Sequence, residues 1–317
     1  MTSASMIIIG LLQAIIVLFT APLFSGFSRV MRAKMHNRRG PSIYQNYRDL
    51  AKLMKRQEVV SEQAGWVFRS APYITMVSML LVVMIVPIFT SQSPFGWVGD
   101  LILVIYLYTL SRFFFAISGL DTGSTFGGIG SRRELLVSVL IEPVMLLVLF
   151  VMALLAGSTN LGVISTKIAT GEIPYYTSVL LGMLAFAFAS YVEMGKLPFD
   201  LSEAEQEVQE GPLTEFSGRS LALMKWGIYL KQIVLVALFL AVFLPFGSMT
   251  TISTGLPLLV SALQAVIIFL LKVLLFYFIV AVLENAMARV RFMKASAVTW
   301  AALGAAILSF VFYLANV

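Results

Sequence analysis

The chain has 317 residues, 59% hydrophobic and only 12% charged, with a mean hydropathy of +0.93. A soluble domain carries about 45–50% apolar and about 25% charged residues, so this composition excludes a single water-soluble core and predicts one all-α domain over 1–317, a polytopic membrane helix bundle. There is no cysteine and one histidine, His36; iron–sulfur clusters and structural zinc sites need thiolate or imidazole ligands, so no cofactor and no metal is expected on this chain. The net charge of +6 is spread between apolar runs and not gathered in a block, which fits membrane topology and not nucleic-acid binding.

A span needs about 20 mostly apolar residues. Eight candidates follow in order: 5–28, 71–91, 100–119, 134–157, 176–194, 227–247, 257–283 and 297–316. The first lacks a basic leading region and a small-residue cleavage site, so it reads as a span and not a signal peptide. Between the first two, Tyr47, Leu50, Leu53 and Met54 recur at helical spacing with Arg48, Lys52, Lys55 and Arg56 mostly between them. This predicts an amphipathic interfacial helix within Tyr44–Gln57. The Gly-rich run Gly119–Gly130, with no strand before it, reads as a flexible loop and not a phosphate cradle. Pro143 is expected to kink the fourth span.

Of the 22 basic residues, 19 fall in the odd-numbered loops, among them Arg112, Arg132 and Arg133 in the third. The positive-inside rule makes those loops cytoplasmic and puts both termini on the outer face. Only Lys167 lies in an even loop, while Lys231 and Lys272 lie inside spans.

The fifth loop departs from that pattern. Glu193, Asp200, Glu203, Glu205, Glu207, Glu210 and Glu215 face Lys196 alone. Glu203, Glu207 and Glu210 have the i, i+4, i+7 spacing of one helical face. Such crowding raises carboxyl pKa values and suits a group that holds and passes protons; an ordinary solvated acidic turn is the alternative. Glu142 lies eight residues into the fourth span, Glu134 begins it, and Glu193 and Glu284 close the fifth and seventh. Lys272 is about twelve residues from the end of the seventh. Charges at such depth pair or carry protons, so Glu142 and Lys272 are candidates for a proton route or for a buried pair that only fixes packing.

These residues also carry a resemblance. The stretch EMGKLPFDLSEAEQE over 193–207, continuing as VQEGPLTEFSG over 208–218, resembles the signature loop of the H subunit of bacterial complex I, and Arg38-Arg39-Gly40-Pro41 resembles that family's motif after its first span. The run RFFFAISGLDTGS over 112–124 and the wording of the acidic loop are more similar to the membrane subunit of formate hydrogenlyase and hydrogenase-4. Complex I itself usually has an asparagine and a first proline where Gly195 and Leu197 stand here. The resemblance implies a membrane anchor for a cytoplasmic arm in the bacterial inner membrane. The [NiFe] centre and iron–sulfur clusters would be carried by the large and small hydrogenase subunits, with antiporter-like membrane subunits as further partners and lipid around them. It implies that Asp200, Glu203, Glu205, Glu207 and Glu210, with Glu142 and Glu193, form a proton or conformational link, to which the charges in and at the ends of the spans add Glu134, Lys272 and Glu284 as candidates, and that Arg38, Arg39, Gly40, Pro41, Arg48 and Lys52 help dock the arm. Two alternatives remain: a quinone-reducing complex I H subunit, and a stand-alone secondary transporter, which would be expected to show paired broken helices.

Overall fold

In a bilayer every backbone polar group must be satisfied within the protein. The chain does so with helices; among the described residues the only β contacts are two isolated bridges, Thr90 with Met249 and Asp100 with Asn160. The computed structural model describes residues 3–96, 98–249, 256–290 and 292–315, with the side chains of 3–5, 205–206, 256–259 and 292–295 outside that description. The helices are α1 (Ser3–Met35), α2 (Gln45–Met54), α3 (Trp66–Ile85), α4 (Leu101–Asp121), α5 (Thr125–Ala156), α6 (Leu161–Ala169), α7 (Thr177–Glu193), α8 (Glu205–Val208), α9 (Gly218–Phe243), α10 (Leu256–Ala286) and α11 (Phe292–Leu314), with a 3-10 turn at Gly211–Leu213. Seven are long and apolar enough to cross a membrane, and α7 is a shorter apolar helix of 17 residues. The protein is a multi-pass, all-α membrane bundle.

The most enclosed helix is α9, in which every residue from Gln232 to Phe243 is buried. It packs on α1, α3, α6, α7 and α10, while α4 and α5 pack on each other and α11 covers α5 and α7. Buried Val, Leu, Ile and Phe from α3, α5, α7 and α9 make one continuous core. By contrast α10 turns Leu263, Leu271 and Leu275 outward.

Prolines and glycines decide how the ends fit. Pro22 has no N–H, so the Leu18 carbonyl one turn earlier loses its helical donor; the Trp226 indole of α9 donates to it at 3.0 Å. Nearby, Asn46 of α2 donates to the Pro22 carbonyl at 2.9 Å and the Tyr47 hydroxyl donates to that of Phe19. Thus α2 is fastened to the backbone of α1, with Asn46 and Leu50 buried and Arg48 and Lys52 exposed. Helix α5 runs on through Pro143.

The Gly-rich run is not a flexible loop. Helix α4 ends at Asp121 and α5 starts at Thr125, with the Ser124 hydroxyl accepting from the Gly127 N–H. The glycines serve close approach: a Cβ on Gly127 would lie 2.8 Å from the Gly119 carbonyl oxygen, and one on Gly130 would lie 2.5 Å from the Gly211 Cα. Asp121 reaches across the corner and accepts from the Phe68 N–H at 2.9 Å, capping α3. Because the neighbours of Gly130 are backbone atoms of Gly211 and Ser202 and the rigid ring of Pro212, Gly130→Ala should push the 200–213 segment off α5. A loss of about 1–3 kcal/mol is expected, as for other overpacked sites, and thermal unfolding in detergent should show a lower midpoint than wild type.

Candidate functional site

Two helical registers bring charge into the interior. On α4, Tyr108 and Arg112 are one turn apart; on α5, Glu134, Ser138 and Glu142 follow at successive turns and share a face. Glu193 ends α7, and Lys231 enters from α9 one turn after Gly227. Gly227 lets α9 approach α3, since a Cβ there would lie 3.1 Å from the Thr75 methyl.

Arg112, with its side chain 3% exposed, is the hub. Its Nε donates to Glu134 Oε1 at 3.1 Å, its Nη2 to the Glu134 carbonyl at 3.2 Å, and its Nη1 to Glu193 Oε2. Glu193 Oε1 accepts from the Tyr108 hydroxyl at 2.6 Å and lies 3.0 Å from Lys231 Nζ. Lys231 is also 3.6 Å from Glu134 Oε1 and sits 5.7 Å from the centre of the Tyr108 ring. Glu142 is at the margin, 25% exposed, 3.9 Å from Arg112 Nη1 and accepting from the Ser138 hydroxyl at 2.6 Å. Buried charges persist only when paired and hydrogen-bonded; Glu193, with three donors, meets that condition fully.

A cavity of about 40 Å³ beside the cluster is lined by Thr75, Arg112, Glu134, Glu193, Glu203 and Lys231, among others. At about 10–15 Å³ per water centre, it has room for a few water molecules. A second cavity, about 430 Å³, is lined by Arg29, Arg32, Asp200, Glu203, Glu284 and Arg289, among others. Glu203 lines both. It is half-buried in the turn before α8, and burial, followed by the nearby Asp200 and Glu134 carboxylates, pushes its pKa from the ordinary 4.5 up to about 8.

The other acids of this loop do not gather as the spacing predicts. Helix α8 is only four residues long, and Gln209 and Glu210 adopt φ values of 48° and 67°, so Glu203, Glu207 and Glu210 share no helical face. Glu207 pairs with Arg133 at 2.6 Å, Glu210 with Lys225 at 3.5 Å, and Asp200 with Arg289 at 2.9 Å. The side chain of Glu205 lies outside the described residues. Glu284 accepts from Ser28 at 3.2 Å and lies 3.5 Å from Arg32.

Lys272 is not paired with Glu142. Its ammonium donates to the Leu244 carbonyl at 2.6 Å and to that of Phe246, just past the end of α9, where the Tyr175 hydroxyl also donates to the Phe243 carbonyl at 2.6 Å. A cation is favoured at a helix C-terminus, whose last carbonyls lack partners. Arg38, Arg39, Arg48 and Lys52 are exposed, as is Pro41, with Gly40 half-buried. Among the described residues none of these four bases takes part in an ion pair.

The sequence reading missed the cations. Arg112 is inside α4 and not in the third loop, and Lys231 is central to the cluster. The usable signal was the Tyr108–Arg112 spacing within the apolar run 100–119, where an arginine twelve residues in has no route to water along its own helix. Among the described residues no group of His, Cys, Asp or Glu could hold a metal ion.

A family model described as NADH dehydrogenase matches residues 7–315. The chain belongs to that family. This member of the NADH dehydrogenase family is 50% identical over 309 residues to hydrogenase-4 component C of Escherichia coli (strain K12), covering 98% of this chain and 96% of the relative. It is 47% identical over 305 residues to formate hydrogenlyase subunit 4 of the same organism, covering 96% and 98%. A more distant relative is NADH-quinone oxidoreductase subunit 8 of Thermus thermophilus, 30% identical over 76% of this chain and 68% of that one. In fold, this family member is similar to a chain of a membrane-bound sulfane sulfur reductase, an archaeal respiratory membrane complex, with a TM-score of 0.84 at 22% identity over 98% and 99% of the two chains.

Removing Arg112 strands two buried carboxylates. Arg112→Met should cost about 3–5 kcal/mol, read as loss of folded protein in membranes, and adding Glu193→Gln should recover part of that yield. For Glu203, the folded state holds a proton that the unfolded chain releases above pH 4.5. Stability therefore falls as pH rises from 4.5 to about 8 and is level above. Glu203→Gln lacks this slope, so its unfolding midpoint should rise relative to wild type across that window and no further beyond it.

Proposed function

We propose that this chain is the membrane subunit of a hydrogen-metabolising [NiFe] hydrogenase complex. In this role it anchors a cytoplasmic redox arm in the bacterial inner membrane and links electron transfer to proton movement. The observation that carries the reading is the pair of relatives at 50% and 47% identity along nearly their whole lengths, named for hydrogenase-4 and formate hydrogenlyase. The [NiFe] centre and iron–sulfur clusters would then sit on the large and small partner subunits, and antiporter-like membrane subunits would flank the bundle.

Orientation follows from the basic residues. With 18 of 22 in or beside the odd-numbered loops once Arg112 is assigned to α4, those loops face the cytoplasm and both termini the outer side. The arm would then dock on Arg38, Arg39, Gly40, Pro41, Arg48 and Lys52, which follow α1 and lie on α2. Through Glu203 the wider cavity meets the smaller one and the carboxylates of Glu134 and Glu193. A charge change at the arm is felt at Glu203 first, because it is the carboxyl with both cavities at its sides.

The test is recovery of the tagged chain from membranes in mild detergent, with identification of retained proteins and a hydrogen-evolution assay on the eluate. The expected result is a [NiFe] large subunit with hydrogen activity, and proton movement that drops at least tenfold in Glu203→Gln membranes while hydrogen turnover persists. Recovery of an NADH-handling arm with quinone-inhibitor sensitivity would move the chain to a quinone-reducing complex, and an active lone chain would make it a transporter.

A further inference from the structure

The wider cavity, about 430 Å³, has cations and carboxyls on its walls, and most of them cancel in pairs. Asp200 is with Arg289, Glu210 with Lys225, and Glu284 with Arg32. Arg29, Lys196 and Glu203 are left over. Among the described residues neither Arg29 nor Lys196 takes part in an ion pair; the Arg29 guanidinium meets the uncharged Tyr229 hydroxyl. Glu203, with its pKa at about 8, is mostly protonated at pH 7, so these two cations stand without a counter-charge. Arg32 and Arg289 also have donors to spare. Each gives one Nη to its carboxylate, and the Nε of each has no acceptor among the described residues. The cavity lies toward the end of α1, the start of α9 and the end of α10, and the ends of apolar spans reach the level of the lipid headgroups.

We propose that this cavity binds a phosphate group, with Arg29 and Lys196 supplying the uncompensated charge and the guanidiniums of Arg32 and Arg289 supplying further N–H donors. A guanidinium presents its N–H groups as a planar fork that matches phosphate oxygens, and an ammonium adds a point charge. Water alone would offer both cations only dipoles, in a space walled by protein where an opposite charge is felt more strongly than in bulk solvent. The carboxylates of Asp200, Glu210 and Glu284 limit the charge that can enter, since each already holds a cation and repels a further anion. At about 10–15 Å³ per water centre, the space exceeds what one phosphate needs, so the group would keep part of its water. Two sources supply the same chemistry. One is the phosphodiester of an anionic phospholipid, entering at the headgroup level with its chains left in the bilayer; the other is free phosphate from the aqueous phase.

Binding can be read on the full-length protein, purified in mild detergent and washed free of lipid. Equilibrium dialysis with radiolabelled inorganic phosphate at constant ionic strength tests the free anion. Retention of phosphatidylglycerol from mixed micelles, counted by mass spectrometry against phosphatidylcholine, tests the headgroup. Saturable binding of at least one probe is expected. Arg29→Gln and Lys196→Gln should each weaken it by about tenfold or more, the effect of losing one charge-assisted contact. Lys55→Gln removes an exposed cation outside the cavity and should leave it unchanged. Asp200→Asn should tighten it, because Arg289 is then released to the ligand, whereas a variant that merely loosened the fold would bind more weakly. Retention of the lipid without phosphate binding identifies a headgroup site, phosphate binding without lipid retention a soluble-anion site, and phosphate that displaces the lipid one site open to both. Binding of neither probe overturns the proposal and hands the cavity to an acidic segment of a partner. Binding that Arg29→Gln and Lys196→Gln leave unchanged, or that Lys55→Gln lowers equally, overturns it as well.

Discussion

One guanidinium inside an apolar bundle sets the terms for the rest of the molecule. Arg112 is cut off from bulk solvent, so two elements must deliver acceptors to it: α5 with Glu134 and, farther off, Glu142, and α7 with Glu193. That requirement pins α4 against the start of α5 and the end of α7. The second cation, Lys231, then becomes tolerable in α9, the most enclosed helix. Apolar packing alone would allow these helices to slide or rotate by a residue; ion pairs under about 4 Å do not. A network of this kind adds little net stability compared with apolar side chains of the same size. Its value lies in the arrangement it enforces and in the charge it stores.

Around this hub the bundle has two characters. At the end carrying α2 and the 194–217 segment, side chains meet as ion pairs and the cavities are lined by charge. Toward the other end of α9 the core becomes apolar, with Val144, Val148, Leu149, Phe186 and Phe243 all buried. The polar network thus stops partway along the bundle. Glu203, sitting in a turn and not in a helix, is placed where the network opens to the wider cavity, and a turn can shift with less disturbance than a packed helix.

Much of this was legible in the sequence, and the rest was hidden for identifiable reasons. Runs of about 20 apolar residues mark helices because the bilayer leaves no other way to satisfy the backbone, so the all-α bundle and its long spans followed from hydropathy. The helix in the first loop followed from the spacing of Leu50 and its neighbours. The early start of α5 did not, because glycines read as flexibility in one dimension, and only the approach of Gly211 to Gly130 shows that they serve contact. The acids were visible as acids, but not their partners. Arg112 and Glu193 are 81 residues apart, and no local spacing rule spans that distance. The spacing of Glu203, Glu207 and Glu210 misled for the opposite reason: it assumed a helix that the backbone ends at Val208.

The cap on α9 bears on how the chain enters a membrane. The carbonyls of Leu244 and Phe246 and the ammonium of Lys272 satisfy one another only when α9 and α10 lie side by side. Either helix threaded into lipid by itself would carry exposed carbonyls or a bare lysine into hydrocarbon. The two therefore suit delivery as one hairpin, released from the translocation machinery together, with the lysine already seated before lipid closes around the pair.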